Sequence, residues 1–409
     1  MGQPIPDLPI LADDDSMLSR RFGREVANYF SGNPLNRVAF LRTNYAFLHA
    51  AFSHAATQFL LFESLSPLSK DASNLAYVTR DVVVPLTGEE PFKKPEGDQV
   101  KEYNSAHTHP IVVFLGIHEK QRNGFGFGEY HGTPYFAVDV TPRGTIADKA
   151  NSVIDAVKAT GVSFTGGPRV MTLNAHEAAI YAEARALLDW NIRNPFCAGC
   201  GKPTLSINGG WKRVCPPLDF AGVSEGGAPK ERADCPTRHG ISNLCFPRTD
   251  PTVIMAIVSV DGTKLLLGRN KRFPPYWYST LAGFLEPGEG IEEAVRRETW
   301  EESGVTVGRV VIYGSQPWPF PASLMIGAIG QAVPGGETIH LGHDEELHDA
   351  KWFTFDEVKE ALTIGVSALG EPAPPTYKEG GLRLPPKTAI ANQLIQAVLR
   401  DFPEKTPKI

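Results

Sequence analysis

Three glutamates in the stretch 283–305 have the spacing of a divalent-metal site. Glu298, Glu301 and Glu302 lie within residues 291–303, a segment of helix-forming composition that is followed by Gly304. The spacing of three and four residues places their carboxylates on one side of a helix, where like charges repel by roughly a few tenths of a kcal/mol per pair. Carboxylate oxygens are the ligands that Mg²⁺ prefers, so a bound cation explains this arrangement better than a solvated surface. Arg297, four residues before Glu301, can orient that side chain.

A second set of candidate ligands consists of cysteines. Cys197-Ala198-Gly199-Cys200-Gly201 is a Cys-x-x-Cys-Gly motif, in which two thiolates reach one ion while glycine permits the tight turn. The second thiolate pair must come from Cys215, Cys235 and Cys245, and spacing alone leaves the choice open. A site closed by four thiolates would be structural, because zinc then has no position for a substrate. The alternative is a redox dithiol, which lacks the expected βαβ context.

A third feature is the segment 315–323, which we call the aromatic array. It reads Ser-Gln-Pro-Trp-Pro-Phe-Pro-Ala-Ser, and prolines on both sides restrict the backbone around Trp318 and Phe320. Rigid aromatic side chains suit stacking against a flat heterocycle. The alternative is a proline-rich loop that fills the edge of a core.

The bulk composition narrows the class of protein. The 409 residues suffice for two or three domains, and the formal net charge of −6 gives no electrostatic footprint for duplex nucleic acid. Five cysteines in so long a chain are not a disulfide framework, which favours a reducing intracellular compartment. The sequence has no transmembrane run and no signal peptide, so we expect no membrane association. The last three residues, Pro407-Lys408-Ile409, loosely resemble the Ser-Lys-Leu peroxisomal address; an ordinary charged tail in a cytoplasmic protein is the alternative.

Hydrophobic patterning predicts three domains that position these residues. Residues 1–190 read as an α+β domain with strands at 111–117 and 135–140 and helices at 147–159 and 173–191. Its His107 and His109 are interpreted as structural. Residues 191–248 form a zinc ribbon, in which the Gly-, Pro- and Ser-rich stretch 216–234 is predicted to be an inserted flexible loop.

Residues 249–409 are predicted to be an α/β domain built around the glutamate helix. Strands are expected at 252–260, 264–268, 278–281, 309–313, 323–329 and 351–353, with helices starting at Thr354 and Thr388. Strands on both sides of the glutamate helix, with a terminal helix packed back, indicate an α/β/α sandwich.

The glutamate stretch resembles the Nudix box. Gly283, Glu289, Arg297, Glu298, Glu301, Glu302, Gly304 and Val305 match its fixed positions, and Thr299 departs from an apolar one. Thr299 is β-branched and can be buried on its methyl group, so the departure does not imply inactivity. The resemblance implies the Nudix fold, an α/β/α sandwich with a mixed sheet.

The aromatic array closely resembles the signature of the NADH pyrophosphatases, a subfamily of the Nudix hydrolases. This resemblance implies substrate contacts by the array and by an aromatic-Pro pair after the zinc ribbon, here Phe246-Pro247. It also implies a small residue at the substrate from the terminal helix, for which Ala391 fits. The implied substrate-binding set is Phe246, Gln316, Pro317, Trp318, Pro319, Phe320, Pro321, Ser323 and Ala391.

The same resemblance implies the metal ligands. Family zinc ribbons place the third cysteine after a Trp-Lys-Arg-type segment, as at Trp211–Cys215, and the fourth soon after it. The implied zinc ligands are Cys197, Cys200, Cys215 and Cys235, with the long insertion before Cys235 as a departure and Cys245 as the alternative. The implied Mg²⁺ or Mn²⁺ ligands are Glu298, Glu302, the Ala282 carbonyl and Glu346, with Glu345 as the adjacent alternative.

The resemblance implies that a metal ion and these glutamates hydrolyse the pyrophosphate of NADH to reduced nicotinamide mononucleotide and AMP. Action on NAD⁺ and on NAD-capped RNA 5′ ends is implied as well, as is a homodimer. Glu301 would ligate metal or accept a proton. The alternatives are another nucleoside diphosphate substrate, such as ADP-ribose, or a non-catalytic zinc-ribbon interaction module, which would be expected to have lost the box carboxylates.

Overall fold

A computed structural model describes residues 6–9, 17, 27–121, 124–240 and 242–402. The C-terminal tripeptide and most of the first thirty residues lie outside these ranges, so the predictions made for them are untested. The chain divides into two compact units. The continuous unit is Asn33–Arg248, and the composite unit joins Thr249–Ile409 to the described part of Met1–Gly32. Residues 27–32 group with the last predicted domain, and the predicted zinc ribbon groups with residues 33–190; the three predicted domains stay a prediction.

The continuous unit contains a mixed sheet with helices. Its large sheet has the strand order β4-β6-β1-β2-β7, with β3 paired to β1, β5 paired to β6, and β1 parallel to β6. Strands β8 and β9 form a ribbon of their own, as do β10 and β11. The strands are β1 (Gln58–Glu63), β2 (Ser66–Ser69), β3 (Tyr77–Val78), β4 (Val112–His118), β5 (Phe125–Phe127), β6 (Tyr130–Asp139), β7 (Ser163–Phe164), β8 (Leu205–Ile207), β9 (Lys212–Val214), β10 (Leu218–Asp219) and β11 (Lys230–Glu231). The helices are α1 (Tyr45–Ser53), α2 (Arg80–Thr87), α3 (Glu96–Lys101), α4 (Ala147–Lys158) and α5 (Ala175–Arg193).

The composite unit is an α/β/α sandwich with a mixed sheet, which confirms the predicted fold class. The strand order is β15-β16-β12-β13-β17, with β14 also paired to β12, and β12 runs parallel to β16. The strands are β12 (Asp250–Val258), β13 (Lys264–Asn270), β14 (Leu281–Phe284), β15 (Val307–Trp318), β16 (Ser323–Ala332) and β17 (Leu347–Thr354). The helices are α6 (Ile291–Ser303), α7 (Phe355–Ile364) and α8 (Ile390–Asp401).

Strand β12 shows why this sheet is covered on both faces. Val253, Met255 and Ile257 lie in a core that contains Ala294 and Val295 of α6. The alternating residues 254, 256 and 258 lie in a second core with α7 and α8. Successive side chains of a strand point to opposite faces, so a continuous apolar run requires a helix layer on each side.

The insertion at 216–234 is ordered by β-pairing and a buried ion pair rather than being the flexible loop that its composition predicted. Strands β10 and β11 pair within it, and Arg232 Nη2 donates to Asp219 Oδ2 at 2.5 Å. Asp219 also accepts from the Ser105 backbone at 2.9 Å and the Ser105 hydroxyl at 2.7 Å. These hydrogen bonds outweigh the effect of burial and hold the pKa of Asp219 far below its ordinary value.

Two local features of the continuous unit depend on single turns. Residues 39–41 form a 3₁₀ turn. Asn174 occupies the N-cap position of α5, and its side chain bonds Asn74 rather than capping the helix. Within the described residues, every helix is too short or too polar to cross a bilayer.

Candidate functional site

Helix α6 carries the three box glutamates, and local signals fix both of its ends. Gly290 occupies the N-cap, and its backbone N–H donates to the Glu293 carboxylate at 2.7 Å. Gly304 ends the helix with φ 74°, the left-handed conformation that favours glycine. The bounds agree with the prediction of 291–303, because caps are encoded in neighbouring residues.

Arg297 is the centre of an ion-pair network on α6. Its guanidinium donates to Glu289 through Nε at 2.6 Å and through Nη2 at 2.8 Å. It also donates to Glu298 at 2.9 Å, to Glu301 at 2.8 Å, and to the Phe284 carbonyl at 2.8 Å. The planar fork of arginine therefore orients three carboxylates at once, which extends its predicted role beyond Glu301.

Glu302 is the most perturbed of the box carboxylates. Its side chain lies on the buried face of α6, with 4% of the residue exposed, and a backbone hydrogen bond from Ala282 favours its charged form. Burial raises the pKa of Glu302 to about 9, and the neighbouring carboxylates Glu346, Glu298 and Asp344 add to the shift. Its Oε2 atom is buried and has no hydrogen-bond partner among the described residues. A buried carboxylate oxygen left without a donor is what a site for a hard cation requires.

Gly283 of β14 forms a cradle for the Glu298 carboxylate. A Cβ atom at position 283 would lie 2.0 Å from Cδ of Glu298, so only glycine leaves room for that carboxylate. Glu298 is partly buried, and burial raises its pKa while the Arg297 guanidinium acts in the opposite direction. The strand and the helix are therefore fitted to each other around one carboxyl group.

The segment that contains Glu346 packs on the last turn of α6. The Asp344 N–H donates to the Glu301 carbonyl at 3.1 Å, and the His340 N–H donates to the Ser303 carbonyl at 2.8 Å. Trp300, one residue before Glu301, stacks on His343 with ring centroids 4.0 Å apart. Glu346 accepts a hydrogen bond from the Asn270 side chain at 3.1 Å. Among the neighbouring charges, Glu346 raises the pKa of Glu302 the most. Glu345, the adjacent alternative, is not among the charges that raise the pKa of Glu302.

The donor set around Glu302 fits a hard divalent ion in its chemistry. It consists of carboxylate oxygens, one of which has no hydrogen-bond partner among the described residues, and position 283 carries no side chain that would displace Glu298. The carboxylates do not converge on a single point, however. In the described part of the chain, the four cysteines are the one group of three or more candidate ligands whose atoms all lie within 4.8 Å of one another.

The aromatic array runs from the end of β15 through a turn into the start of β16. Trp318 pairs with Ser323 across these strands, and the Phe320–Pro321 peptide is cis. Trp318 and Phe320 are partly exposed and make an edge contact with centroids 5.5 Å apart. Ser323 is 7% exposed and Ala391, on the first turn of α8, is 3% exposed. Pro317 and Pro321 are half-buried, and Pro319 is buried.

Gln316 has a structural position inside the array. It is fully buried, and its amide nitrogen donates to the Tyr29 carbonyl at 2.9 Å and to the Thr388 carbonyl at 2.8 Å. Its amide oxygen accepts from the Ile390 N–H at 2.9 Å. In this conformation backbone groups hold both ends of the Gln316 amide, and the substrate contact that the resemblance implied stays a prediction.

The structure brings Cys197, Cys200, Cys215 and Cys235 together and leaves Cys245 outside the group. The sulfurs of Cys197 and Cys235 are 3.6 Å apart, and those of Cys200 and Cys215 are 3.5 Å apart. Four thiolates at a Zn–S distance of 2.3 Å are about 3.8 Å apart in a tetrahedron, so the spacing fits zinc. The ribbon β10–β11 lies between the third and fourth thiols and returns the chain to Cys235.

Polar neighbours surround the thiols. The Thr237 hydroxyl lies 3.3 Å from the Cys197 sulfur and 3.1 Å from the Cys235 sulfur, while Arg238 Nη2 lies 3.6 Å from the Cys215 sulfur. Burial opposes ionisation of Cys197, but hydrogen bonds from Thr237 and nearby backbone lower its pKa to about 6. Burial and the Cys200 thiol raise the pKa of Cys215 to about 12.

Phe246 lies in the continuous unit and is 43% exposed. It lines a cavity of about 390 Å³ together with Lys212, Arg238 and Cys245, among others. Lys212 forms an ion pair with Glu96 at 3.0 Å.

His109, interpreted from the sequence as structural, stacks on the ring of Tyr103.

Several residues of the site carry no local sequence signal that identifies them. Asn270 holds Glu346, and Thr237 and Arg238 surround the thiols. Phe30 contacts the aromatic array across nearly 290 residues of sequence. Glu289 is a matched box position, so its bond to Arg297 could have been found from the pattern.

Three family models match the chain. A NUDIX domain matches residues 249–369, and an NADH pyrophosphatase-like rudimentary NUDIX domain matches residues 56–190. An NADH pyrophosphatase zinc ribbon domain matches residues 192–217. That last match ends at residue 217, at the start of the insertion, so Cys235 lies outside it.

Curated relatives match most of the chain. It is 36% identical to the NAD-capped RNA hydrolase of Schizosaccharomyces pombe over 94% of this chain and 96% of that protein. It is also 36% identical to the human NAD-capped RNA hydrolase NUDT12, over 93% of this chain and 75% of that protein. The human mitochondrial NAD(P)H pyrophosphatase NUDT13 is 38% identical over 55% of each chain.

Proposed function

Because this chain belongs to the Nudix family of hydrolases, in its NADH pyrophosphatase subfamily, we propose that it hydrolyses the pyrophosphate bond of NADH and NAD⁺. The products are reduced or oxidised nicotinamide mononucleotide and AMP. The same reaction on NAD-capped RNA leaves a 5′-monophosphate RNA, and the names of the relatives support this substrate. One water is consumed, and one P–O bond of the diphosphate is broken.

The observation that carries this proposal is the buried carboxylate of Glu302 with its unpartnered oxygen, next to the glycine cradle that holds Glu298. A carboxylate buried without a donor destabilises a fold unless a cation or a proton occupies it. Glu298, Glu302, Glu346 and the Ala282 carbonyl would hold Mg²⁺ or Mn²⁺. A bound ion of this kind screens the diphosphate charge, polarises a P–O bond and lowers the pKa of water.

The ion pairs of Arg297 hold the box glutamates in fixed positions before substrate binds. Because Arg297 bonds Glu289, Glu298 and Glu301 at the same time, it fixes their rotamers and offsets part of their mutual repulsion. Glu301 has a side chain 38% exposed to solvent, so it can accept the proton of the attacking water or serve as a further ligand.

The aromatic array supplies the substrate-binding surface. Trp318 and Phe320 are partly exposed and are fixed by their prolines and by each other, which suits stacking on a base or the nicotinamide. Ser323 pairs with Trp318 across the two strands, and Ala391 lies on the first turn of α8, where the Ile390 N–H donates to Gln316 of the array. A substrate contact by Phe246, which is 43% exposed, stays a prediction of the family resemblance. Zinc on the four cysteines would have a structural role.

Incubation with NADH and Mg²⁺ or Mn²⁺, followed by identification of products by mass, tests the proposal. We expect AMP and reduced nicotinamide mononucleotide, and with ¹⁸O-water one labelled oxygen in one of the two products. Parallel kcat/KM values for NAD⁺, ADP-ribose and a short NAD-capped RNA rank the substrates. If NADH stays intact while ADP-ribose is cleaved readily, the substrate is a different nucleoside diphosphate and the proposal for NADH fails. A homodimer and peroxisomal import remain predictions of the family resemblance and of the C-terminal tripeptide.

We expect Gly283→Ala to weaken binding of the divalent ion by displacing Glu298. The new methyl group would lie 2.0 Å from Cδ of Glu298, so the carboxylate must leave its cradle. Loss of a ligand's position typically costs about 10- to 100-fold in metal affinity or activity. The measurement is the Mn²⁺ concentration at half-maximal NADH hydrolysis, together with Mn²⁺ binding by electron paramagnetic resonance.

Gly97→Ala is the matched control, because Gly97 is exposed and has open space where a Cβ would be placed. It should leave the Mn²⁺ dependence unchanged. Unaltered Mn²⁺ binding in Gly283→Ala would mean that Glu298 is not a ligand.

A further inference from the structure

Residues 27–32, which we call the N-terminal strap, form part of the composite unit although they precede the rest of it by more than 200 residues. They lie outside the regions matched by the three family models, the first of which begins at residue 56. The ring of Phe30 is 2% exposed and makes T-shaped contacts with two rings of the aromatic array. Its centroid is 5.9 Å from that of Trp318 and 6.2 Å from that of Phe320, with interplanar angles of 77° and 70°.

Hydrogen bonds hold the strap against the same array. The Asn28 side chain donates to the Ser315 carbonyl at 2.8 Å, and the Gln316 side chain donates to the Tyr29 carbonyl at 2.9 Å. Gln316 also bonds Thr388 and Ile390 at the start of α8, so one buried amide joins the strap, β15 and α8. Three chain segments therefore meet at the Gln316 amide, and the residue that follows Tyr29 in the strap is Phe30.

The backbone of Phe30 is in a conformation that the rest of the structure has to impose. Its φ is 72°, in the left-handed region that aromatic residues rarely adopt. A large residue persists in that region where surrounding contacts over-determine it, and such positions cluster at functional sites. Here these contacts are the two edge-on rings and the hydrogen bonds of Asn28 and Tyr29, which directly precede residue 30.

We propose that Phe30 is a positioning residue for substrate binding, which holds Trp318 and Phe320 in the orientation that grips a base of the dinucleotide. The inference rests on the proposed function. T-shaped contacts at about 70° restrict the planes of both array rings, whereas the array rings themselves stay partly exposed. Phe30 itself is buried, so it acts through these two rings and does not touch the substrate.

Steady-state kinetics of Phe30→Leu and Phe30→Gly test this role. Leucine keeps apolar volume without a flat ring, and glycine removes the ring while relieving the left-handed backbone. Since two aromatic contacts are lost, we expect the KM for NADH to rise roughly tenfold in both variants. We expect kcat to stay within about twofold and the Mg²⁺ dependence to be unchanged, because α6 keeps its carboxylates. Phe40→Leu, at a ring 64% exposed in the continuous unit, is the matched control and should behave as the wild type.

The outcomes separate this inference from the proposed function. If the wild type leaves NADH intact, the proposed function fails. If the wild type cleaves NADH and both variants, folded by circular dichroism, keep its KM, only the role of Phe30 fails. A lowered melting temperature with unchanged KM would assign Phe30 to stability alone and would overturn the inference. Rescue of the KM by Phe30→Tyr, which restores a flat ring, would support it.

Discussion

Replacing Glu302 by glutamine is expected to lower kcat/KM for NADH hydrolysis by about 10³-fold, the equivalent of several kcal/mol of electrostatic stabilisation by a metal ion. Glutamine has nearly the same shape but cannot supply a charged oxygen to the ion. The measurement is the initial rate with NADH at saturating Mg²⁺ and again at saturating Mn²⁺, with zinc content determined in parallel. Zinc should be retained, because the four cysteines belong to the other compact unit.

Glu292→Gln is the matched control for this substitution. Glu292 is on the first turn of the same helix and is exposed, so its variant should keep wild-type turnover. Full turnover in Glu302→Gln at both metals would remove Glu302 from the metal site. Equal losses in the two variants would point to a general effect of charge on α6.

Although Glu302→Gln is expected to lower activity, it should raise the stability of the metal-free protein at alkaline pH. Burial raises the pKa of Glu302 to about 9 from an ordinary 4.5, so the folded state binds a proton that the unfolded state has released between these values. The free energy of unfolding contributed by this group therefore falls as pH rises through that window. In EDTA, Glu302→Gln should be more stable than the wild type at pH 8, and the difference should shrink toward pH 5. Melting temperatures at the two pH values measure this.

Cys235→Ser is expected to release the structural zinc and to melt the ribbon that the zinc closes. Structural zinc in small ribbons contributes on the order of 10 kcal/mol of folding free energy. Loss of one thiolate ligand should therefore unfold the ribbon rather than shift its structure slightly. We expect bound zinc to fall from about one per chain to well below one, with a lowered melting temperature for the continuous unit. Zinc content by mass spectrometry and thermal unfolding measure both effects.

Cys245→Ser is the control that decides between the two candidate fourth ligands. The Cys245 sulfur lies 3.8 Å from the Thr237 carbonyl and outside the group of four. Its variant should keep zinc and should melt like the wild type. Loss of zinc from Cys245→Ser with retention in Cys235→Ser would reverse the assignment.

Features encoded in neighbouring residues could be predicted from the sequence. Helix α6 has its predicted bounds because Gly290, Glu293 and Gly304 are local stop and start signals. Thr299 is fully buried, as its branched side chain allowed, and its hydroxyl donates to the Val295 carbonyl at 2.6 Å. The two-thiol motif around Cys197 was also visible, because two ligands of one turn lie close in sequence.

Features that depend on distant segments could not be predicted. Composition at 216–234 suggested a flexible loop, but the Asp219–Arg232 pair and Ser105, over 100 residues away, order it. The hydrogen bonds of Gln316 to Tyr29 and Ile390 join segments that lie 74 to 287 residues away in sequence. No local pattern marks Asn270 as the partner of Glu346.

The sequence by itself determined the chemistry of this protein: a triple-glutamate helix, a thiolate cluster and a proline-braced pair of aromatic rings. The glutamates, the aromatic pair and the first two cysteines are each encoded within one helix or loop, where spacing indicates which side chains lie together. The tertiary structure decided which of these groups are buried and what surrounds them. It buried Glu302 with one oxygen that has no hydrogen-bond partner among the described residues. It grouped Cys235, and not Cys245, with the other three cysteines, and it brought Phe30 into contact with the aromatic array. Burial and long-range pairing arise from the packing of whole layers, so no window of neighbouring residues contains them.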